Sequence, residues 1–173
     1  MKKSLAGMLL IALSFTLLAV SALIYEQASQ TTTQTIVNVA SITLNNAALG
    51  SIEEGETILY TASNTSILND ILTLTTSRAD VYLYFDTDLD LQNTNYATFE
   101  IKVNVGDTVP GTSSYATGDN LETLSIGQPD TTAGVVLDAG GDWTFDFEIL
   151  TTANMVSSDQ ASTVGITVTA ENA

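Results

Sequence analysis

Asp86, Asp88 and Asp90 stand at alternate positions of the chain. On one face of a strand, three carboxylates at that spacing repel one another, so the chemistry they offer is capture of a hard cation such as calcium. The EF-hand pattern is not met: Leu91 stands where that loop needs glycine, and Ala97 where it needs the bidentate glutamate. A solvated acidic face is the preferred reading, with calcium as the alternative and no other cofactor expected. Asp138, Asp142 and Asp146, around the Gly140-Gly141 turn, are read the same way. Asn64-Thr65-Ser66 is the single Asn-x-Ser/Thr sequon, which makes Asn64 the candidate glycan acceptor. Tyr82, Tyr84 and Trp143 are the aromatics that could stack on a sugar, but Trp143 falls on the apolar side of its segment and is expected in the core.

The remaining inventory excludes most catalysis. Among 173 residues there is no His and no Cys, so neither Ser-His-Asp nor Cys-His machinery, no His-Glu-x-x-His zinc site and no disulfide can be built. Carboxylates and hydroxyls remain, without a paired acid and base, and the expectation is that the chain is not an enzyme. A net charge of −16 repels phosphate backbones, which argues against a nucleic-acid partner. Yet 45% of the residues are hydrophobic and only 14% charged, enough apolar material for a folded core.

The elements that must position these groups are strands. Period-2 alternation outweighs any helical period, and Thr is abundant. Over residues 81–91, Leu83, Phe85, Thr87, Leu89 and Leu91 share one face, while Tyr82, Tyr84, Asp86, Asp88 and Asp90 share the other. Residues 99–105, 143–150 and 164–171 alternate in the same way, and weaker strands are read at 56–62, 71–76 and 134–138. Lys102, on the polar side of its strand, is expected to form a cross-strand ion pair. Turn signals include Glu53-Glu54-Gly55, Asn69-Asp70, Val109-Pro110-Gly111 and Ala139-Gly140-Gly141-Asp142. Residues 106–127 read as a surface excursion, and 151–160 as the place for a short helix. No composition break or repeat marks a second globular domain. The expected fold is all-β, a two-sheet sandwich.

Lys2 and Lys3 precede a charge-free apolar run at 5–22 that ends in small residues, the pattern of an export signal cleaved after Ala22. Residues 1–22 are thus expected to be a signal peptide, which leaves membrane contact to export alone and places the protein outside the cell. A type IV pilin-like subunit is the alternative: the basic leader ending at Gly7 would be removed and the apolar helix kept. Against it, the β-branched run after Gln30 is a poor continuation for a helix.

Residues 27–52 carry no charge, a gap of 26 residues in an otherwise acidic chain. Within it, residues 29–39 are Thr-rich and β-branched, lack Gly and Pro, and read as one extended strand. An uncharged terminal strand invites aggregation unless it pairs with a sheet edge. One reading makes it the first strand of its own sandwich. The other makes it a donor strand that completes the sheet of the next subunit, with Thr31, Thr33, Thr35, Ile36, Val37, Asn38 and Val39 at the subunit interface. Strand donation is a head-to-tail contact, and one that does not close a ring builds a filament. The expected organisation is a signal peptide at 1–22, a donor-strand segment at 23–40 and the sandwich domain at 41–173.

The stretch Leu49-Gly50-Ser51-Ile52-Glu53-Glu54-Gly55-Glu56-Thr57-Ile58-Leu59-Tyr60-Thr61-Ala62-Ser63-Asn64-Thr65 resembles the biofilm-matrix fibre proteins of the TasA and camelysin group and the archaeal bundling pilus subunits similar to them. The stretch Leu137-Asp138-Ala139-Gly140-Gly141-Asp142-Trp143-Thr144-Phe145-Asp146-Phe147 resembles a second turn-then-strand element of that group. The sequence departs from the group in carrying Glu54 where a turn proline is common. The resemblance implies a jelly-roll-like sandwich, secretion, donor-strand polymerisation with copies of itself, lateral bundling and a role in cell cohesion. A monomeric calcium- or carbohydrate-binding surface module is the remaining alternative.

Overall fold

The computed structural model describes residues 40–128, 132–155 and 158–172. They form nine strands: β1 (Ala40–Leu44), β2 (Thr57–Tyr60), β3 (Leu72–Thr76), β4 (Val81–Thr87), β5 (Tyr96–Val105), β6 (Asn120–Ser125), β7 (Val135–Leu137), β8 (Gly141–Ala153) and β9 (Ile166–Asn172). Two short 3-10 turns, Ser66–Leu68 and Leu89–Gln92, are the only helical pieces among the described residues. The fold is all-β, two antiparallel sheets that share one core, as the alternation predicts. The larger sheet runs β1-β3-β8-β5-β6, with β2 also paired to β8; the smaller runs β7-β4-β9.

The long strand β8 organises the larger sheet. One of its edges pairs with β5 from Phe145 to Ala153. The other is shared, with β3 taking Gly141 to Phe145 and β2 taking Ile149 to Thr152. Between them Asp146, Phe147 and Glu148 have no strand partner on that side among the described residues.

The inward residues of β5 (Phe99, Ile101, Val103, Val105) and of β8 (Trp143, Phe145, Phe147, Ile149) are buried against Leu83 and Phe85 of β4 and Leu72 and Leu74 of β3. Full burial of each large apolar side chain contributes roughly 1.5–3 kcal/mol, which fixes the register, because a one-residue slip would turn the whole set to water. Trp143 is core, as expected, at 1% exposure. Its ring lies parallel to Phe145 at 6.0 Å and edge-on to Tyr115. Its indole N–H donates to the Ala139 carbonyl at 3.2 Å, so its polar atom is satisfied.

The structure corrects four expectations. The strand over 81–91 stops at Thr87, where the chain coils into the Leu89–Gln92 turn; Leu89 stays buried but Leu91 is 74% exposed. The stretch 106–127 is more than an excursion, since β6 within it pairs with β5. Leu124 anchors it in the core, an apolar position that the polar residues around it mask in sequence. Thr151 to Ala153 extend β8 rather than starting a helix, because pairing with β2 and β5 on both edges outweighs the weak local helix propensity. Finally, Ala40 already lies in β1, one residue before the expected start of the sandwich.

Candidate strand-accepting seam

β1 ends the larger sheet and β9 ends the smaller one, and the two edge strands touch across the sandwich. Each pairs with one neighbour among the described residues, β1 with β3 and β9 with β4. Their inward side chains are Ala40, Ile42 and Leu44 on β1 and Ile166, Val168 and Ala170 on β9. All six pack on the core yet remain only partly buried, unlike Leu72, Leu74, Leu83 and Phe85 on the strands beside them. The seam therefore leaves apolar surface open to solvent beside strand edges that are unpaired among the described residues.

Other edges of the molecule are blunted in familiar ways. β7 has 3 residues and β2 has 4, too short to template much pairing. β6 carries Glu122 and meets β5 through a bulge between Val103 and Asn104. β9, by contrast, is 7 residues long, pairs with β4 in unbroken register and carries one charge, Glu171. β1 has no charge at all. A further strand laid along this seam would satisfy backbone groups and complete the burial of Ile42, Ile166 and Val168, each at most about 1 kcal/mol for a side chain already partly buried.

The expected donor-strand residues Thr31, Thr33, Thr35, Ile36, Val37, Asn38 and Val39, and the expected leader at 1–22, lie outside the described residues. The seam itself was missed in sequence reasoning. Its signal was present in the alternation of Ala40, Ile42 and Leu44, which continues the uncharged run, and in the matching alternation of β9.

The acidic triad does not share a face, because its strand ends early. Asp86 is exposed on β4. Asp88 accepts from the Gly165 N–H at 2.7 Å, and Asp90 from the Gly127 N–H at 2.7 Å. Two of the three thus cap loops, and among the described residues no group of three acidic side chains converges as a metal site. Asp138, Asp142 and Asp146 separate likewise. Asp142 accepts from the Thr75 hydroxyl and Asp146 from the Asp70 N–H, each at 2.7 Å. Asp138 accepts from the Ser113 hydroxyl at 2.6 Å and from the Ser114 N–H at 2.7 Å, and these bonds hold its carboxyl below the usual value.

Asn64 is exposed in a turn that its own side chain builds. Its Oδ1 accepts from the Thr61 N–H at 2.8 Å, and its Nδ2 donates to the Leu59 carbonyl at 2.9 Å. Lys102 forms the expected cross-strand pair with Glu148 at 2.8 Å; that hydrogen bond raises its pKa. Tyr82 and Tyr84 lie side by side on the outer face of β4, their rings 6.1 Å apart.

No protein-family model matches this chain, and no curated protein matches it. Among the described residues no helix is long and apolar enough to cross a membrane.

Proposed function

We propose that this protein is the structural subunit of an extracellular filament, polymerised by strand donation from residues 23–39 of one copy into the β1/β9 seam of the next. The observation that carries this reading is the seam itself: two strand edges without a partner among the described residues, nearly free of charge, whose inward side chains stay only partly buried. Its natural complement is an extended uncharged strand, and residues 29–39 have that composition. Backbone pairing would supply affinity and alternate side chains the register. A contact between two different patches propagates without closing, which is how a single chain builds a fibre.

The resemblance to TasA- and camelysin-group fibre proteins and archaeal bundling pilins supports the same reading and adds a jelly-roll-like topology, export, bundling and cell cohesion. Asn64, exposed in its turn, is the site at which such a secreted subunit would carry a glycan.

Electron microscopy of the secreted material tests the reading directly. Fibres are expected from the intact chain and none from a chain lacking residues 23–39. Unchanged fibres from the truncated chain refute strand donation.

A further inference from the structure

The outer face of the smaller sheet holds an open depression of about 420 Å³ lined by Tyr84, Asp86, Thr167, Thr169 and Glu171. Register explains it. Tyr84 stands opposite Thr169 and Asp86 opposite Thr167, with Glu171 one step along β9 opposite Tyr82. Gly134, at φ +92°, lies against the Tyr84 ring so closely that an added Cβ would fall 2.6 Å from it. The lining offers the Glu171 carboxylate, two hydroxyls and an aromatic ring, with the already engaged Asp86 adding negative charge and no cation among the described lining residues. Such a site suits a planar cation that can stack and hydrogen-bond at once.

The chain itself presents one. Past the leader lysines it has two basic residues, Arg78 and Lys102. Lys102 is engaged by Glu148 and Glu100. Arg78 is exposed and makes no ion pair among the described residues. Its backbone is nevertheless braced: the buried Thr76 hydroxyl accepts from the Arg78 N–H at 3.2 Å and donates to the Arg78 carbonyl at 2.9 Å. Gly140 lies against the same backbone, where an added Cβ would come within 3.2 Å. Asp80, at φ +60°, completes the tight connection into β4. A cationic side chain is thus held out to solvent on a fixed support.

We propose that Arg78 of one copy docks in the depression of a second copy between Tyr84 and Glu171, forming a charge-complementary contact between otherwise repelling acidic molecules. This contact is independent of strand donation and would persist in a chain whose seam is blocked.

Sedimentation velocity of the purified protein at low salt, with circular dichroism to verify folding, tests it. Arg78→Glu and Glu171→Arg each place like charges in contact and are expected to weaken self-association about tenfold. Mixing the two variants in equal amounts is expected to restore association, since one copy then supplies the intact arginine and the other the intact acidic site. Added salt should weaken the wild-type contact. A wild-type chain that does not self-associate, single variants that associate normally, or a mixture that stays dissociated would each overturn the proposal.

Discussion

The backbone N–H of Asp70 donates to Asp146 Oδ1 at 2.7 Å, which brings two carboxylates together in the gap that β3 and β2 leave along β8. Asp70 adopts φ +50° to make this bond. Its own Oδ1 is shielded from water and has no hydrogen-bond partner among the described residues. Burial pushes the Asp146 carboxyl up from its ordinary value of 3.8; the Asp70 hydrogen bond opposes that rise, while the charges of Asp70 and Asp107 add to it.

A raised carboxyl in the folded state favours folding where it is protonated. The Asp146 contribution is therefore full below its unfolded value of 3.8 and is lost as pH rises through the higher folded value. Asp146→Asn keeps the acceptor for Asp70 and removes the repulsion. At neutral pH it should raise the melting temperature by roughly 1–2 °C, a small gain because solvent screens the site. Thermal melts from pH 3 to 8 check it, and a lower melting temperature for the variant at pH 7 would contradict the assignment.

Asp138 works in the opposite sense. Its carboxyl is held down by the Ser113 and Ser114 bonds, so its contribution is present above 3.8 and is lost as pH falls through the lower folded value. Asp138→Ala should free the loop at Ser113 and Ser114 while leaving the core intact. Hydrogen exchange is the readout, with the Ser114 amide expected to exchange on the order of tenfold faster and β5 amides unchanged.

The Lys102–Glu148 pair spans β5 and β8 with both side chains partly exposed. Pairs of this kind contribute little, and a double-mutant cycle with Lys102→Met and Glu148→Gln should give a coupling of about 0.5 kcal/mol. Urea denaturation of the four proteins measures it; a coupling above about 2 kcal/mol would require a desolvated pair that this geometry does not show.

Val168 points inward from β9 but is only partly buried. Val168→Asn should cost the isolated fold about 1 kcal/mol, less than a core position would, because the site already meets water. Under the proposed strand donation, fibre assembly should fall at least tenfold, since a docking strand would meet an unsatisfied amide. Assembly kinetics followed by light scattering, beside a melting curve, separate the two effects. Equal losses in both would make Val168 a core residue and not part of an acceptor.

Strands with one dry and one wet face were legible in the sequence. Phe85, Ile101, Phe145 and Val168 announce themselves through period-2 alternation, which requires only that the chain be extended and half-covered. The Lys102 pair was legible for the same reason, since a lone cation on an acidic sheet face has few alternatives. The end of β4 was not: Asp88 and Asp90 continue the alternation perfectly, and only their bonds to Gly165 and Gly127 turn the chain away. β6 was hidden because it ends its sheet and is mostly polar, with Leu124 its one fully buried apolar residue and Leu121 only partly buried.

Composition and alternation by themselves determined that this chain is an all-β protein without thiol or imidazole chemistry, because those properties follow from residue types and nearest neighbours. Which strands end the two sheets, how the Asp70 and Asp146 carboxylates come together, and why Arg78 stands braced beside Gly140 were decided by tertiary structure alone. Each depends on residues far apart in the chain, and distance along a sequence says nothing of which strands lie side by side.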